Sequence, residues 1–207
     1  MAQYFSIHPD NPQARLVKQA VAILREGGLL VYPTDCSYAL GCHIGDKTAM
    51  ERIRALRQVD ERHHFTLVCR DLSEIAQYAK VDNRQYRLLK NCTPGAYTFI
   101  LQATREVPRR LQHPKRATIG IRIPASHVVA ALLEELGEPI LGSTLIMPGE
   151  DEPLCDPDEI RARLEHGVEL ILDGGCCGRE TTTVVDLTGE EPVLVRKGRG
   201  DLAPLGL

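Results

Sequence analysis

Apolar positions along this chain recur with two periods, and helical and extended stretches alternate from one end to the other. Between Asp10 and Glu26, the residues Leu16, Val17, Ala20, Val21 and Leu24 form one stripe at helical spacing. Asp10 or Asn11 can cap that helix and Pro12 suits its first turn. Gly27 and Gly28 end it, and a buried strand follows, Leu29 to Val31, stopping at Pro33, which has no N–H for a sheet ladder. A second helix is predicted from Asp46, with Met50, Ile53 and Leu56 inward, then a polar loop at 57–64 (RQVDERHH) and a short strand at 65–69. Asp71 with Glu74, and Asp82 with Gln85, have the spacing of capping boxes opening two further helices. Strands are predicted at 96–103 and 117–124. The basic stretch between them, 105–116, has two prolines and poor periodicity, which indicates a surface loop or short helix. Next come a helix from Ser126 to Leu136 ended by Gly137, a buried strand at 140–145, and an acidic, proline-rich loop at 147–159 expected to be mobile. Asp156, Pro157 and Glu159 start a last helix that Gly167 ends, and 168–172, 182–187 and 192–198 read as closing strands.

This alternation predicts an α/β fold, with a mixed sheet because the last three strands are expected to crowd together. The chain shows no internal repeat and no long linker, so its 207 residues suit one domain. At 43% hydrophobic and 26% charged residues it can bury a core and does not read as disordered. No apolar run approaches the ~20 residues of a membrane span, and the first residues lack a signal peptide's layout. A cytoplasmic protein away from membranes is expected. Seven cysteines without a CxxC pair read as free thiols, and no structural metal is expected. The neighbours His63 and His64 would point to opposite faces of a strand and not converge on one ion.

Charge changes the picture more than composition does. Residues 52–122 carry fifteen Lys and Arg against six acids, and residues 123–207 carry six against seventeen. The basic part is mostly arginine, whose planar fork suits phosphate and nucleic acid, and a segment of this charge is an electrostatic footprint for an anionic partner. Mutual neutralisation of the two halves in the fold is the plainer alternative. No Walker-type loop, GxGxxG, GxSxG or Cys/His constellation is present, so no catalytic acid, base or nucleophile stands out. What stands out is a set of hydroxyls and arginines at strand and helix ends: Thr34, Ser37, Ser143, Thr144, Thr181 to Thr183, Arg57, Arg122 and Arg196. Such groups position and neutralise phosphates around a small polar substrate. Thr34, Asp35 and Ser37 lie past the carboxyl end of the first buried strand, where open α/β sheets bind ligands. An ordinary strand exit whose hydroxyls only satisfy the turn is the alternative there. Arg122 and Arg196 interrupt apolar strands, where each needs a partner, either a ligand or a salt bridge to the acidic half.

Six segments, in order, resemble the YrdC/YciO family, whose best-understood members are threonylcarbamoyl-adenylate synthases. LREGGLLVYPTDCSYALG is similar to the family's opening GG-strand-PT(E/D)-x-x-Y-G-L-G, TPGAYTFIL to its PGP-x-T strand and TIGIRIP to its arginine strand. GSTLI is similar to its S-x-N segment, TTTVVDL to S-T-V-x-D and VLVRKG to the L-R-x-G ending. The resemblance implies a single YrdC-like domain over 1–207, a twisted open sheet of mixed parallel and antiparallel strands with helices packed on it, and a large basic concave pocket. It implies ATP, L-threonine and bicarbonate as substrates, Mg²⁺ carried on the phosphates, pyrophosphate release, and a place in making threonylcarbamoyladenosine in tRNA. Residue by residue, it implies that Thr34, Tyr38, Arg122 and Thr182 bind substrate, Arg122 through the threonine carboxylate. Arg57, Ser143, Thr144 and Arg196 would bind the nucleotide. The family's K-x-R reads Arg57-Gln58-Val59 here, its S-x-N reads Thr144-Leu145-Ile146, and Ala39 replaces a glycine. Losing one arginine and one amide removes two nucleotide partners, each worth roughly 1–3 kcal/mol if buried and charge-assisted. These departures, with NPQARLVKQA, FTLVCRDLSE and VPRRLQ, are similar to the YciO branch. That branch implies either a weakly active synthase that binds nucleotide and RNA, or a non-catalytic binder of double-stranded RNA or tRNA.

Overall fold

The structure, a computed structural model, describes residues 1–60, 63–113 and 115–207. Residues 61 and 62 of the expected 57–64 loop, and residue 114 of the basic 105–116 stretch, lie outside the described residues. The described residues form eleven strands: β1 (Gln3–Ser6), β2 (Leu30–Pro33), β3 (Tyr38–His43), β4 (Thr66–Val68), β5 (Ala79–Lys80), β6 (Tyr97–Ala103), β7 (Thr118–Arg122), β8 (Ile140–Thr144), β9 (Leu170–Asp173), β10 (Thr183–Asp186) and β11 (Val193–Arg196). The helices are α1 (Ala14–Arg25), α2 (Lys47–Arg57), α3 (Leu72–Tyr78), α4 (Asn83–Cys92), α5 (His127–Leu136) and α6 (Pro157–Leu164).

The strands form one mixed sheet in the order β1-β9-β2-β3-β8-β4-β7-β6-β10-β11, with β5 paired to β6 outside that path. The sheet is mixed as expected, but the last three strands do not crowd together. β9 inserts parallel between β1 and β2, while β10 and β11 close the opposite side, β10 parallel to β6 and β11 antiparallel to β10. A fully buried strand such as β9 carries no mark of which neighbours it will take.

Local sequence explains most element ends. Asp46 caps α2 by accepting from the Ala49 N–H at 2.8 Å. Asp82 and Gln85 make both bonds of a capping box. Asp71 accepts from the Glu74 N–H, but Glu74 reaches back to the Arg70 N–H at 2.6 Å rather than to Asp71. α1 starts later than predicted, at Ala14, because the His8 ring accepts from the Asp10 and Asn11 N–H groups and holds them in a preceding turn. The acidic loop is tied to the sheet, since Leu154 and Cys155 are buried and the Leu154 N–H donates to Leu145 O at 2.9 Å.

The two sheet faces are covered unequally. On one, α1 and α5 pack on each other and over β9, β2, β3 and β8, burying Leu16's neighbours Val17, Val21 and Leu24 with Leu132, Leu133 and Leu30. The other face buries a larger cluster that takes in α2, α3, α4 and α6 along with Leu67, Phe99, Ile121 and Val185. Alternation along the strands continues the first face past α5, beyond the helices that cover it. There Thr98 and Ile100 of β6, Thr118, Gly120 and Arg122 of β7, and Val184 and Asp186 of β10 line an open cleft.

Candidate active site

The cleft holds about 740 Å³ and is bounded by the uncovered strands, the end of α2 and the loops around Ile146 and His113. Arg57, Arg122, Ser143, Thr144, Thr182 and Arg196 all line it. Six of the eight residues that the resemblance implies therefore line one cleft, from segments far apart in the chain.

The other two do not. The stretch from Leu30 to His43 is a hairpin, not a strand running out into a loop: Pro33 pairs with Tyr38, and β3 continues antiparallel to β2. Thr34 Oγ1 donates to Ser37 O at 2.6 Å and accepts from the Cys36 and Ser37 N–H groups, so the hydroxyl serves the turn. Tyr38 is fully buried in the helix-covered cluster of the opposite face, its hydroxyl donating to Gly175 O at 2.7 Å and accepting from the Gly174 N–H. With period-two alternation, the hairpin presents Tyr32 and Ala39 to the cleft instead, and Ser37 lines it from the turn.

At one end of the cleft lies a buried ion pair. Arg122, 7% exposed, donates to Asp35 Oδ1, and Asp35 Oδ2 accepts from the Ala125 N–H at 3.1 Å. Its salt-bridge partner is thus the hairpin tip and not the acidic half of the chain. Arg199 donates to Asp35 O at 2.6 Å and ties the tip to the segment after β11. That segment comes in close at Gly198, where a Cβ would stand 2.3 Å from Thr181 O, so the glycine ending VLVRKG is required by contact. Two polar atoms here are buried without a hydrogen-bond partner among the described residues, Arg122 Nε and the Tyr32 hydroxyl. Gly142 lies beside that hydroxyl, and a Cβ there would stand 3.0 Å from it.

At the other end, Arg57 Nε donates to Ile146 O at 3.2 Å and its NH1 to Ser143 Oγ at 2.5 Å, with His63 Nε2 3.0 Å from both NH1 and Ser143 Oγ. Burial first, then the Arg57 charge, pushes the His63 pKa down to about 4. The ring is therefore neutral near pH 7, and since guanidinium only donates, Nε2 accepts and the proton sits on Nδ1. His64 stacks on His113, their centroids 5.2 Å apart, at the same cleft. The two neighbouring histidines do reach one cleft, because they precede β4 in irregular backbone, where strand alternation does not apply. Thr182 Oγ1 and Thr98 Oγ1 bond each other at 2.8 Å, and Arg196 donates to Thr182 O at 3.2 Å. Arg196 lies on an exposed strand and has no acidic partner among the described residues. Arg116, by contrast, is 3.7 Å from Asp186. The two oppositely charged segments do meet elsewhere, in Arg52–Glu169 and Arg84–Glu191. Neutralisation is therefore partial, and it spares Arg57 and Arg196.

Among the described residues, no group of three or more His, Cys, Asp or Glu side chains could hold a metal ion, all seven cysteines are free, and no helix is long and apolar enough to cross a membrane. Sequence reasoning missed Tyr32 and His63 as cleft residues. The signal for Tyr32 was available in the hairpin pairing with Ala39, while His63 carries none beyond its proximity to Arg57.

The chain is similar to known proteins in sequence and in fold. The Sua5/YciO/YrdC family profile, described as "Telomere recombination", matches residues 22–198. The uncharacterized protein YciO of Escherichia coli is 58% identical over 204 residues, 99% of each chain, and its crystal structure superposes with a TM-score of 0.96 at 57% identity over 99% of this chain and all of that one. A threonylcarbamoyl-AMP synthase of Halorhodospira halophila is 29% identical over 178 residues, 86% of this chain and 92% of that protein. P. abyssi Sua5, solved in complex with L-threonine, has a TM-score of 0.87 at 25% identity over 95% of this chain and 58% of its own. With its open mixed sheet, half-covered face and arginine-lined cleft, the chain belongs to the Sua5/YciO/YrdC family as a YciO-type protein related to threonylcarbamoyl-AMP synthase.

Proposed function

We propose that the cleft binds ATP, L-threonine and bicarbonate and joins them as threonylcarbamoyl-adenylate, with low turnover. The observation that supports this most is the pair of buried, unpartnered donors, Arg122 Nε and the Tyr32 hydroxyl, in a cleft that also holds Arg57 and Arg196 without acids. The donor pair suits a carboxylate, as in the L-threonine that the P. abyssi relative binds. Arg57 and Arg196 suit phosphate oxygens. In the proposed reaction, the threonine amine and bicarbonate form a carbamate with loss of water. A carbamate oxygen then bonds to the α-phosphorus as the bond to the bridging oxygen breaks, and pyrophosphate leaves with that electron pair. No side chain need form a covalent bond; the arginines orient the groups and offset developing charge. Mg²⁺ would arrive on the phosphates and screen them, since the cleft carboxylate Asp186 and the nearby Asp35 are engaged by Arg116 and Arg122.

The low turnover follows from two replacements. Ile146 presents an apolar side chain to the cleft, although its carbonyl holds Arg57, and Val59 stands off the cleft wall, its N–H spent on Arg54 O. They also favour a second reading, a binder of double-stranded RNA or tRNA without turnover. Pyrophosphate release with threonine, bicarbonate and ATP separates the two. The Val59→Arg/Ile146→Asn variant is expected to gain at least about tenfold, most of it from Ile146→Asn. Absence of pyrophosphate release from both proteins, with salt-sensitive RNA binding intact, would leave the binder.

A further inference from the structure

The sheet ends on one side at β11, and that edge is unusual. β11 pairs along one side only, with β10. Its residues Val193, Leu194 and Val195 are 57%, 36% and 56% exposed, three of the six large exposed hydrophobics among the described residues, and consecutive. Natural sheets blunt such edges with inward charge, proline or cover, because an apolar strand with a free ladder recruits another strand. Here the charge lies at the two ends of the strand. The run is Glu190-Glu191-Pro192-Val193-Leu194-Val195-Arg196-Lys197, acidic before the apolar core and basic after it.

That order is complementary to itself in one direction only. If two copies pair antiparallel about a two-fold axis through Leu194, Val193 faces Val195 and Glu191 faces Lys197, twice over. Parallel pairing would set Glu191 against Glu191 and Lys197 against Lys197. Pairing with the other sheet edge, β1 (Gln3–Ser6), offers no charge match, and being heterologous it would propagate instead of closing. β11 has a bulge where Val184 and Val185 of β10 meet Arg196 and Leu194, which keeps the pairable length short and the association concentration-dependent. Glu191 is 3.2 Å from Arg84, but its side chain is 84% exposed and able to reach a second cation.

We propose that β11 is a homodimer interface, two copies joining antiparallel along this edge into one continuous sheet. A two-fold axis of this kind is perpendicular to the sheet, so the same faces stay on the same side. Val195 and Arg196 line the cleft, so both clefts open on that side, next to the shared edge.

Sedimentation velocity on the full chain over roughly 1 to 200 μM tests this, a range that brackets micromolar dissociation constants. The expected result is a concentration-dependent shift to twice the chain mass. Lys197→Glu sets like charges opposite Glu191 and should raise the dissociation constant at least about tenfold, Glu191→Lys should do the same, and the double exchange should restore dimerisation. Val193→Lys should leave a monomer, with circular dichroism confirming a folded chain. A single-chain mass throughout the range overturns the proposal. So does a dimer indifferent to Lys197→Glu and Val193→Lys, which would place the interface elsewhere, or a double exchange that fails to restore association.

Discussion

The Tyr32 hydroxyl allows stability and ligand binding to be moved in opposite directions by one atom. The side chain is fully buried, its ring packs in the cluster under α1 and α5, and its oxygen has no partner among the described residues. Burial pushes its pKa well above the ordinary tyrosine value, so it stays a donor across the working pH range. A buried hydroxyl without a partner costs about 1–3 kcal/mol, and Tyr32→Phe keeps the ring while removing that cost. For a chain of this length each kcal/mol moves the melting temperature by about 2–4 °C, so the free Phe variant should melt at least about 2 °C higher than the parent. If the hydroxyl donates to a ligand carboxylate or phosphate, the variant loses a hydrogen bond to a charged acceptor. That is worth about 1.5–3 kcal/mol, or ten- to hundredfold in affinity. Differential scanning fluorimetry of the free proteins and titration calorimetry with threonine and with ATP measure both effects. A lower melting temperature would mean that the hydroxyl is already bonded. Unchanged affinity for every ligand that binds would refute its role in recognition.

Two further perturbations probe the ends of the cleft. Asp35→Ala strands Arg122, whose side chain is 9% exposed, and should cost about 3–5 kcal/mol in urea unfolding; Asp35→Ala/Arg122→Met should recover much of it, and simple additivity would refute the pairing. His63 has a folded pKa of about 4 against an ordinary 6.5, so between these values the unfolded chain takes up a proton that the folded one refuses. Stability should therefore be full above about pH 6.5 and decline as pH falls toward 4, and the decline should be shallower in His63→Gln when unfolding midpoints are compared across that window.

The sequence made the helices and most strands legible because each carries its own local physics. A cap three residues before a bonded N–H, a stripe at 3.6 spacing or an alternation of apolar positions needs no distant partner to be recognised. β3 escaped because Pro33, Thr34, Asp35 and Ser37 have the chemistry of a chain leaving a sheet, and the same residues also make a tight turn back into it. The resemblance pointed Thr34 and Tyr38 at the cleft, whereas period two in the hairpin sends Tyr32 and Ala39 there. β1 and β5 are four and two residues long and carry no periodic signal to read. Arg57, Arg122, Ser143, Thr144, Thr182 and Arg196 were found because an arginine or hydroxyl at the end of an apolar element is locally out of place. What each one bonds depends on tertiary contacts: the reach of Asp35, at the β2–β3 tip, past β8 and β4 to Arg122 is invisible until the sheet order is known.

The cleft's four arginines fall into two kinds, and the division bears on what can bind. Arg122 and Arg116 stand against Asp35 and Asp186, so each pair brings almost no net charge. Arg57 and Arg196 are held by neutral acceptors alone among the described residues: Ile146 O, Ser143 Oγ and the neutral His63 for one, Thr182 O for the other. Burial lowers the pKa of Arg57, as expected for a cation drawn from water without a counter-charge. Guanidinium does not shed its proton in this range, so the cost of that desolvation stays in the free protein until an anion offsets it. A ligand matched to this cleft therefore brings negative charge to Arg57 and Arg196, and needs only an acceptor oxygen at Arg122 Nε and Tyr32. ATP with threonine has that polarity. A bare polyanion matches the two arginines and leaves the buried donors, Arg122 Nε and the Tyr32 hydroxyl, unanswered, which is why the small-molecule reading accounts for more of the cleft than the RNA reading does.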